Sequence, residues 1–491
     1  MTIPLTATNG HPTGGDPLLP HHASTTTDIL ADTSPGPFEG PEKLLEIWFA
    51  PSADELPRDA RPSRRGLTYR DASQQGEKKE WQGLRQVPRE TWEEMLRIVR
   101  CQVLSVIEGE EVDAYLLSES SLFVAPHLVI LKTCGTTINL LGLNKIIDIA
   151  REYCGFQDVW RCFYSRKSFF FPERQQGPHR NWQQEVSFLD GVFDHKGAAY
   201  TVGPMNGDHW LLYLTSPSTR LAVTPSDHKL PRAISAAAAG TTRQPSASPS
   251  PRRRQDQTLE ILMTHLAPAA RAPFFHPAEL DPTHSSSSEE ASLKARSGHH
   301  LGAILTTHLG IDQLFLRDET TIDAFGFEPC GYSANGIVGS GSSSSDEKEQ
   351  GQGGGYFTIH VTPEEGWSFA SFECNVPLPI STDDNDTAAA TSRPDLQTLI
   401  RKVIDIFQPG RLSITLFLST PSEDEAAEAG EPQQEEDTTR EAWSAFSKSM
   451  LGSGYVRQDR IGYEFEGYDL VFGCFERRGF EGGELAVAPD V

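Results

Sequence analysis

Short β-rich segments recur along this chain, and they constrain its fold more than any other feature. Each combines β-branched and aromatic residues, and several neighbours are separated only by a tight turn. The clearest segments are "AYLLSESSLFV", "LVILKTCGTT", "AYTVGPMNGDHWLLYLT", "YFTIHVTPEEGWSFASFECN", "RLSITLFLS" and "YDLVFGCFER". Because strands joined by tight turns pair antiparallel, this pattern predicts mainly antiparallel sheets.

Two helical segments suggest that one unit is used twice. "LNKIIDIAREY" (143–153) and "LQTLIRKVIDIF" (396–407) carry apolar residues at helical spacing. Each precedes a β-rich segment, and the pieces "KIIDIA" and "KVIDIF" resemble each other. We therefore predict an α+β fold, a four-layer α/β/β/α sandwich of two mainly antiparallel sheets with helices outside, built from a duplicated half.

Low-complexity segments interrupt this pattern. Residues 1–37 are rich in Thr, Pro, Gly and His, which predicts a disordered N-terminal tail. Four further segments lack the periodicity needed to bury a face, so we expect disordered surface insertions. They lie near 217–254, 276–299, 339–355 and 419–439. The remainder, 38–491, is predicted to form a single domain.

Composition limits the classes of partner and compartment. The net charge of −25 argues against nucleic acid, because a phosphate-binding face needs clustered Lys and Arg. The seven cysteines form no C-x-x-C pair, which favours reduced thiols and no metal site. The start lacks the features of a signal peptide, and the sequence contains no run of 18 apolar residues. We expect a cytoplasmic protein without a membrane span.

The stretch "LLSESSLFV" (116–124) places three serines and a glutamate inside an apolar segment. Read as one strand, it carries four central polar residues that need partners if the strand is buried. Taken alone, it is compatible with a strand irregularity or a phosphorylation site. The remaining motifs favour a specific chemistry instead.

Seven motifs occur in an order that resembles the eukaryotic S-adenosylmethionine decarboxylase proenzymes. They are "FEGPEKLLEIWF" (38–49), "YLLSESSLFV" (115–124), "LKTCGTT" (131–137), "FYSRKSFFFPERQQGPHRNWQQEVSFL" (163–189), "DQTLEIL" (256–262), "PCGYSANG" (329–336) and "TIHVTPEEGWSFASFE" (358–373). The resemblance covers nearly every segment predicted to be structured. It implies a self-processing, pyruvoyl-dependent decarboxylase that makes decarboxylated S-adenosylmethionine for spermidine and spermine biosynthesis.

The resemblance implies that the chain makes its own cofactor. The peptide bond between Glu119 and Ser120 would be cleaved, giving a β chain (1–119) and an α chain (120–491). Ser120 would become the pyruvoyl group, which forms a Schiff base with substrate and accepts its electrons. His360 matches the base of this processing reaction, and Ser333 matches its processing partner.

Further residues match the family's catalytic and substrate-binding positions. Cys134 matches the proton donor of turnover, and Glu39 and Glu42 match active-site acids. Adenine is expected between Phe38 and Phe327. The remaining substrate-binding residues are the proposed ribose ligand, Glu364, and a second carboxylate, Glu119. Without the resemblance, "FEGPEKLLE" is typical of an acidic helix start.

The resemblance also implies a putrescine site, because residues of this chain match those that bind this diamine in animal and fungal members. The matching residues are Glu46, Phe163, Ser165, Asp256, Thr258, Glu260 and Glu373. Several carboxylates in a core need a cation, which a diamine would supply. Plant-type members place arginines where this chain has Leu44 and Phe163, so we expect a diamine-responsive enzyme. The alternative is that these acids are ordinary solvated carboxylates. Animal-type members pair, so a homodimer of αβ units is compatible with the resemblance.

Two rival functions remain open at this point. A catalytically inactive homologue that activates a partner would lack Ser120, Cys134 or His360, and all three are present. A self-cleaving hydrolase would keep Ser120 as a lasting nucleophile, and its large chain would begin with an intact serine.

Overall fold

The first half of the chain forms an eight-stranded antiparallel sheet in the order β2-β3-β4-β5-β1-β7-β9-β8. The computed structural model describes residues 38–56, 82–205, 209–216, 221–222, 256–276, 288–339, 354–380, 393–420 and 441–482. The strands of this sheet are β1 (Lys43–Trp48), β2 (Val103–Glu108), β3 (Asp113–Leu117), β4 (Ser120–Val124), β5 (Leu128–Thr133), β7 (Arg161–Lys167), β8 (Gly197–Val202) and β9 (Trp210–Thr215). A separate two-stranded sheet joins β6 (Asp158–Val159) to β10 (Leu221–Ala222).

The second half forms another eight-stranded antiparallel sheet in the order β12-β13-β14-β15-β11-β16-β18-β17. Its strands are β11 (Gln257–Leu266), β12 (Thr320–Gly326), β13 (Tyr332–Val338), β14 (Gly355–Thr362), β15 (Phe369–Cys374), β16 (Pro409–Ser419), β17 (Tyr455–Phe465) and β18 (Tyr468–Arg477). Strand for strand, this order repeats that of the first sheet: β11 occupies the place of β1, and β16 that of β7. The predicted duplication is therefore confirmed.

Helices cover the outer faces of both sheets. They are α1 (Arg89–Ile98), α2 (Leu143–Cys154), α3 (Trp182–Phe193), α4 (Pro268–Arg271), α5 (Ser288–His308) and α6 (Leu396–Phe407). Residues 441–445 are also helical. Short 3₁₀ helices lie at Ala53–Glu55, Gly83–Gln86, Asn139–Gly142, Pro172–Arg174, Gly177–Arg180, Ala272–Phe274, Ile311–Gln313 and Gly452–Gly454.

The two predicted amphipathic helices are α2 and α6, and their local sequences explain their ends. Asp395 caps α6 by accepting a hydrogen bond from the backbone N–H of Thr398 at 2.9 Å. Gly155 ends α2 in a left-handed conformation, with φ of 72°. Each helix precedes its predicted strand, β7 or β16, so both helix–strand predictions are confirmed.

Three hydrophobic clusters fill the space between the four layers. One packs the first sheet against α1, α2 and α3, and another packs the second sheet against α5 and α6. The third joins the inner faces of the two sheets, for example through Leu44, Phe163, Leu262 and Tyr468. The structure is thus the predicted four-layer sandwich of two antiparallel sheets.

Two sequence-based expectations were wrong in detail. The segment expected to be disordered near 276–299 includes the start of α5, which packs on β12 through His299 and Phe325, with ring centroids 5.0 Å apart. "EKLLEIW" forms strand β1, not a helix start, because pairing with β5 and β7 buries both of its faces. The predicted 1–37 tail and most of the other predicted insertions lie outside the described residues.

Candidate active site

The serine-rich stretch is a hairpin, which corrects its interpretation as one interrupted strand. Leu117 of β3 pairs with Ser120 of β4, so Ser118 and Glu119 form a two-residue turn. Glu119 has a φ of 59°, in the left-handed region that non-glycine residues rarely adopt. The bond between Glu119 and Ser120 therefore lies at the end of a tight turn with strained backbone.

Cys134 contacts both sides of this bond. Its thiol donates a hydrogen bond to the carbonyl oxygen of Glu119. Its backbone N–H donates to Ser120 Oγ at 3.4 Å, and Ser120 is completely buried. Burial raises the pKa of the Cys134 thiol well above its ordinary value, and Glu119 adds to the shift. A neutral thiol is thus held as a hydrogen-bond donor to the carbonyl.

The turn after Cys134 is fixed from two directions. Gly135 has a φ of 62°, and its N–H donates to the carbonyl oxygen of Glu39 at 2.9 Å. The buried ammonium of Lys43 donates to the Gly135 carbonyl oxygen at 3.0 Å. A Cβ on Gly135 would lie 3.4 Å from the ring of Phe38, so this predicted adenine-binding residue contacts the turn directly.

Glu39 is buried, and both of its carboxylate oxygens accept hydrogen bonds from the backbone. They accept hydrogen bonds from the N–H groups of Phe170 and Phe171, each at 2.8 Å. Burial raises the pKa of Glu39 to about 7, although these two hydrogen bonds lower it. Glu39 therefore orders the loop after β7, and its protonation is sensitive near neutral pH.

His360 lies between Glu42 and Ser121. Its Nε2 is 2.9 Å from Ser121 Oγ, and its Nδ1 is hydrogen-bonded to Glu42 Oε1. Ser333 is its direct neighbour across β13 and β14, and both residues are buried. The structure thus places the predicted base beside the residue that follows Ser120.

Ser121 and Asn335 complete this arrangement, and sequence reasoning did not identify either one. Ser121 Oγ donates to Asn335 Oδ1 at 2.6 Å, and Asn335 Nδ2 donates to the Tyr115 carbonyl oxygen at 3.1 Å. Thr358 Oγ1 lies 3.1 Å from Ser121 Oγ. Hydrogen bonds to Ser121 and Glu42 thus fix the orientation of the His360 imidazole.

Lys132 is a buried cation among three carboxylates, and sequence reasoning did not identify it. Its ammonium lies 2.7 Å from Glu373, 2.8 Å from Glu260 and 3.3 Å from Glu42. Burial alone would lower the pKa of Lys132, but these carboxylates raise it well above its usual value. Burial likewise opposes ionisation of Glu42, but Lys132 and His360 lower its pKa overall.

The predicted diamine residues lie on the facing surfaces of the two sheets. Glu260 pairs with Glu373 across β11 and β15, and the Tyr356 hydroxyl donates to Glu373 at 2.7 Å. Oε2 of Glu260 has no hydrogen-bond partner in the described part of the chain. Burial raises the pKa of Glu260, which a further cation would reverse.

Glu46 and Asp256 lie at the other end of this group of acids. Trp48 Nε1 donates to Glu46, and the Tyr468 hydroxyl donates to Asp256 at 3.0 Å. Burial and the charge of Asp256 raise the pKa of Glu46 to about 8. Burial also raises the pKa of Asp256.

The uncharged predicted diamine residues accompany these acids. Phe163 and Ser165 pair with Glu46 and Leu44 of β1, and Thr258 precedes Glu260 on the same face of β11. Arg161, two residues before Phe163, is also buried there and was not identified from the sequence. We use the name acid layer for Glu42, Glu46, Asp256, Glu260 and Glu373.

The predicted substrate acids lie close enough to influence each other. Burial and, to a smaller extent, the charge of Glu364 raise the pKa of Glu119 to about 7. Burial also raises the pKa of Glu364, whereas the nearby backbone of Phe38 and the side chain of Trp367 lower it. Phe327 is half-buried and packs on Phe325 with ring centroids 4.9 Å apart. Two acids near the scissile turn suit a cationic ligand.

Three absences concern the described residues alone. No group of three or more His, Cys, Asp or Glu side chains there could hold a metal ion. All seven cysteines are free thiols. None of the described helices combines the length and the apolar character needed to cross a bilayer.

The matching family model and sequence relatives agree with the seven motifs found in the sequence. The family model described as adenosylmethionine decarboxylase matches residues 36–476. The S-adenosylmethionine decarboxylase proenzyme of Xenopus laevis is 33% identical over 440 residues, covering 90% of this chain and 95% of its own length. The proenzyme of Saccharomyces cerevisiae is 31% identical over 471 residues, covering 92% and 95%. A solved Trypanosoma brucei AdoMetDC-delta26 monomer aligns with 20% identity and a TM-score of 0.41, over 73% of this chain and 99% of its own.

Proposed function

Since the chain belongs to the adenosylmethionine decarboxylase family, we propose that it cleaves itself before Ser120 and then decarboxylates S-adenosylmethionine. One observation carries the proposal: the Cys134 thiol is hydrogen-bonded to the carbonyl of Glu119, next to a buried Ser120 hydroxyl. A nucleophile, a strained carbonyl and a hydrogen-bond donor to that carbonyl are the requirements of acyl transfer.

The proposed cleavage begins when Ser120 Oγ attacks the carbonyl carbon of Glu119. The C–N bond breaks as the C–O bond forms, and an ester replaces the amide. A base then removes the α-proton of residue 120 while the Cβ–O bond breaks, which releases Glu119 as a carboxylate and leaves dehydroalanine. Addition of one water and loss of ammonia give the pyruvoyl group.

The neighbouring side chains support assignments for these steps. Cys134 stabilises the negative charge that develops on the Glu119 oxygen, because its thiol already donates there. His360 is the candidate base, since Ser121 and Glu42 orient its imidazole one residue from Ser120. Ser333, directly opposite His360 in the sheet, is the candidate partner in processing.

A ketone at residue 120 supplies an electron sink for loss of carbon dioxide. The residues around it would bind and protonate the substrate. Cys134 keeps its thiol proton at neutral pH because burial raises its pKa, so it can deliver that proton to the substrate Cα. Glu119 and Glu364 supply the negative charge for a sulfonium, and Glu364 for a ribose diol. Phe38 and Phe327 supply aromatic surface for adenine.

We further propose that putrescine binds in the acid layer and activates the enzyme. Four buried carboxylates and the half-buried Asp256 surround few cations, and Glu260 Oε2 has no hydrogen-bond partner in the described part. A dication restores the charged forms of acids whose pKa burial raises. Within this layer Lys132 joins Glu260 and Glu373 to Glu42, and Glu42 contacts His360, so binding there can affect both processing and turnover.

The product would serve as aminopropyl donor for spermidine and spermine. Free thiols at all seven cysteines support a reducing, cytoplasmic setting. The alternative of an inactive homologue that activates a partner is less supported, because Ser120, Cys134 and His360 are all present and mutually positioned.

Release of labelled carbon dioxide from carboxyl-labelled S-adenosylmethionine tests the proposed activity. Purified protein should release it, borohydride treatment in the presence of substrate should abolish release, and the Ser120→Ala variant should show none. A protein that processes fully but releases no carbon dioxide would favour the inactive homologue. A processed chain that begins with an intact serine would favour the hydrolase.

A further inference from the structure

Arg161 is a buried cation that the proposed chemistry does not use. Its side chain is 2% exposed, and it lies at the start of β7 opposite Trp48 of β1. Phe163, two residues along, lies opposite Glu46. Since side chains alternate along a strand and paired residues share a face, Arg161 points into the same space between the sheets as Glu46.

Aromatic rings and one carbonyl hold the guanidinium of Arg161. Its central carbon lies 4.6 Å from the ring centroid of Tyr468 and 5.6 Å from that of Phe163. Its Nη2 donates to the carbonyl oxygen of Glu466, whereas its Nε has no hydrogen-bond partner in the described part of the chain. A buried positive charge in such surroundings remains available to act on nearby carboxylates.

The nearby carboxylates are those of Glu46 and Asp256. Tyr468, which packs on Arg161, donates its hydroxyl hydrogen to Asp256, and Trp48, which pairs with Arg161, donates to Glu46. Burial raises the pKa of both acids, and the charge of Arg161 opposes that shift in each case. The geometry therefore couples one arginine to two of the five residues of the acid layer.

We propose that Arg161 is a resident counter-charge at the Glu46–Asp256 end of the acid layer and sets how strongly this protein depends on an external diamine. This inference rests on the proposed diamine function. Lys132 has the equivalent place at the Glu260–Glu373 end. The five carboxylates carry up to three more charges than these two cations neutralise, so a dication can still bind. Its affinity should be lower than it would be without Arg161.

The test compares Arg161→Met with its parent in a Ser120→Ala background, which removes cleavage and turnover from the measurement. Without diamine, Arg161→Met should melt at a lower temperature than the parent. It should bind putrescine about tenfold more tightly by isothermal titration calorimetry, equivalent to about 1.4 kcal/mol. Its melting temperature should also rise more than the parent's when putrescine is added.

Two control variants separate charge from packing. Arg161→Lys keeps the charge and should keep the putrescine affinity of the parent. Arg85→Met removes another buried arginine, which pairs with Asp113 at 2.6 Å outside the acid layer. It should lower the melting temperature without changing the putrescine affinity.

The outcomes distinguish the inference from the function on which it rests. Equal putrescine affinity in the parent and Arg161→Met overturns the inference and leaves the diamine site in place. Binding by Arg161→Met alone supports the inference but refutes diamine activation of the natural chain. Binding by neither overturns both. Should Arg161→Met not fold, adding Asp256→Asn should restore folding, and a double variant that also fails overturns the inference.

Discussion

Replacement of Lys132 by methionine should destabilise the protein in a way that depends strongly on pH. Lys132 is completely buried, and its ammonium lies within 3.3 Å of three carboxylates, those of Glu42, Glu260 and Glu373. Methionine fills much of the same volume but leaves these carboxylates without their cation. Removing one partner of a buried ion pair typically costs about 3–5 kcal/mol.

That cost converts into a measurable change in melting temperature. Unfolding entropy of about 2.1 cal/mol/K per residue, over roughly 320 described residues, gives about 0.7 kcal/mol/K. The Lys132→Met variant should therefore melt about 4–7 °C below its parent at pH 8. Scanning calorimetry in the Ser120→Ala background measures this without interference from cleavage.

The pH dependence follows from the buried carboxyls that lose their cation. Without Lys132, burial raises the folded-state pKa values of Glu42 and Glu260 above those in the unfolded chain, so the folded state binds more protons. Stability is then retained at pH 5, where the carboxyls can be neutral, and is lost as pH rises through the folded-state values. The difference in melting temperature between Lys132→Met and its parent should shrink by at least half from pH 8 to pH 5.

Lys43→Met is the matched control, because Lys43 is equally buried but donates to the Gly135 carbonyl and to Gln175. It should lose about 1–2 kcal/mol, with a weaker dependence on pH. A Lys132→Met variant that melts within 1 °C of its parent at pH 8, or whose deficit is the same at pH 5, would refute the reasoning.

Three further predictions concern single residues. Cys134→Ala should slow self-cleavage about 100-fold on denaturing gels, because the donor to the Glu119 carbonyl is lost; cleavage at the parental rate would contradict that role. In diamine-free protein, deprotonation of Glu46, whose pKa burial raises to about 8, should lower the melting temperature as pH rises from 6 to 8.5. Glu46→Gln should flatten this decline in calorimetry, and an unchanged slope would exclude Glu46 as its source. Gly135→Ala should lower the free energy of unfolding by about 1 kcal/mol and also reduce kcat, because the φ of Gly135 is 62° and Phe38 is close. Gly479 has a φ of 71° in open space, so the control Gly479→Ala should lower stability alone. Equal kcat values for the two variants would argue against a role of the Gly135 turn in turnover.

Periodicity predicted the elements that repeat a simple pattern. The helices α2 and α6 each have an apolar and a polar face, and the strands that follow them are rich in β-branched and aromatic residues. The turn at Ser118–Glu119 was not predicted, because it lacks the Gly or Asn that usually marks a two-residue hairpin turn. The start of α5 was not predicted, because the serines there are poor helix formers and packing on β12 sets the position of the helix.

The site residues that the resemblance implies lie in local motifs, whereas the charged residues that sequence reasoning did not identify depend on distant contacts. Lys132 meets Glu260 and Glu373, which lie 128 and 241 positions away along the chain. Arg161 meets Tyr468 across the two sheets. A signal for both was present, since a lysine or arginine inside an apolar strand needs a buried partner. Only the register of the two sheets identifies that partner.

Intact mass spectrometry of the purified chain tests the self-cleavage most directly. We predict two species that divide between Glu119 and Ser120, the larger one lighter by one ammonia than a fragment beginning with serine and reducible by borohydride. A single uncut species that nevertheless releases carbon dioxide from S-adenosylmethionine would contradict the account.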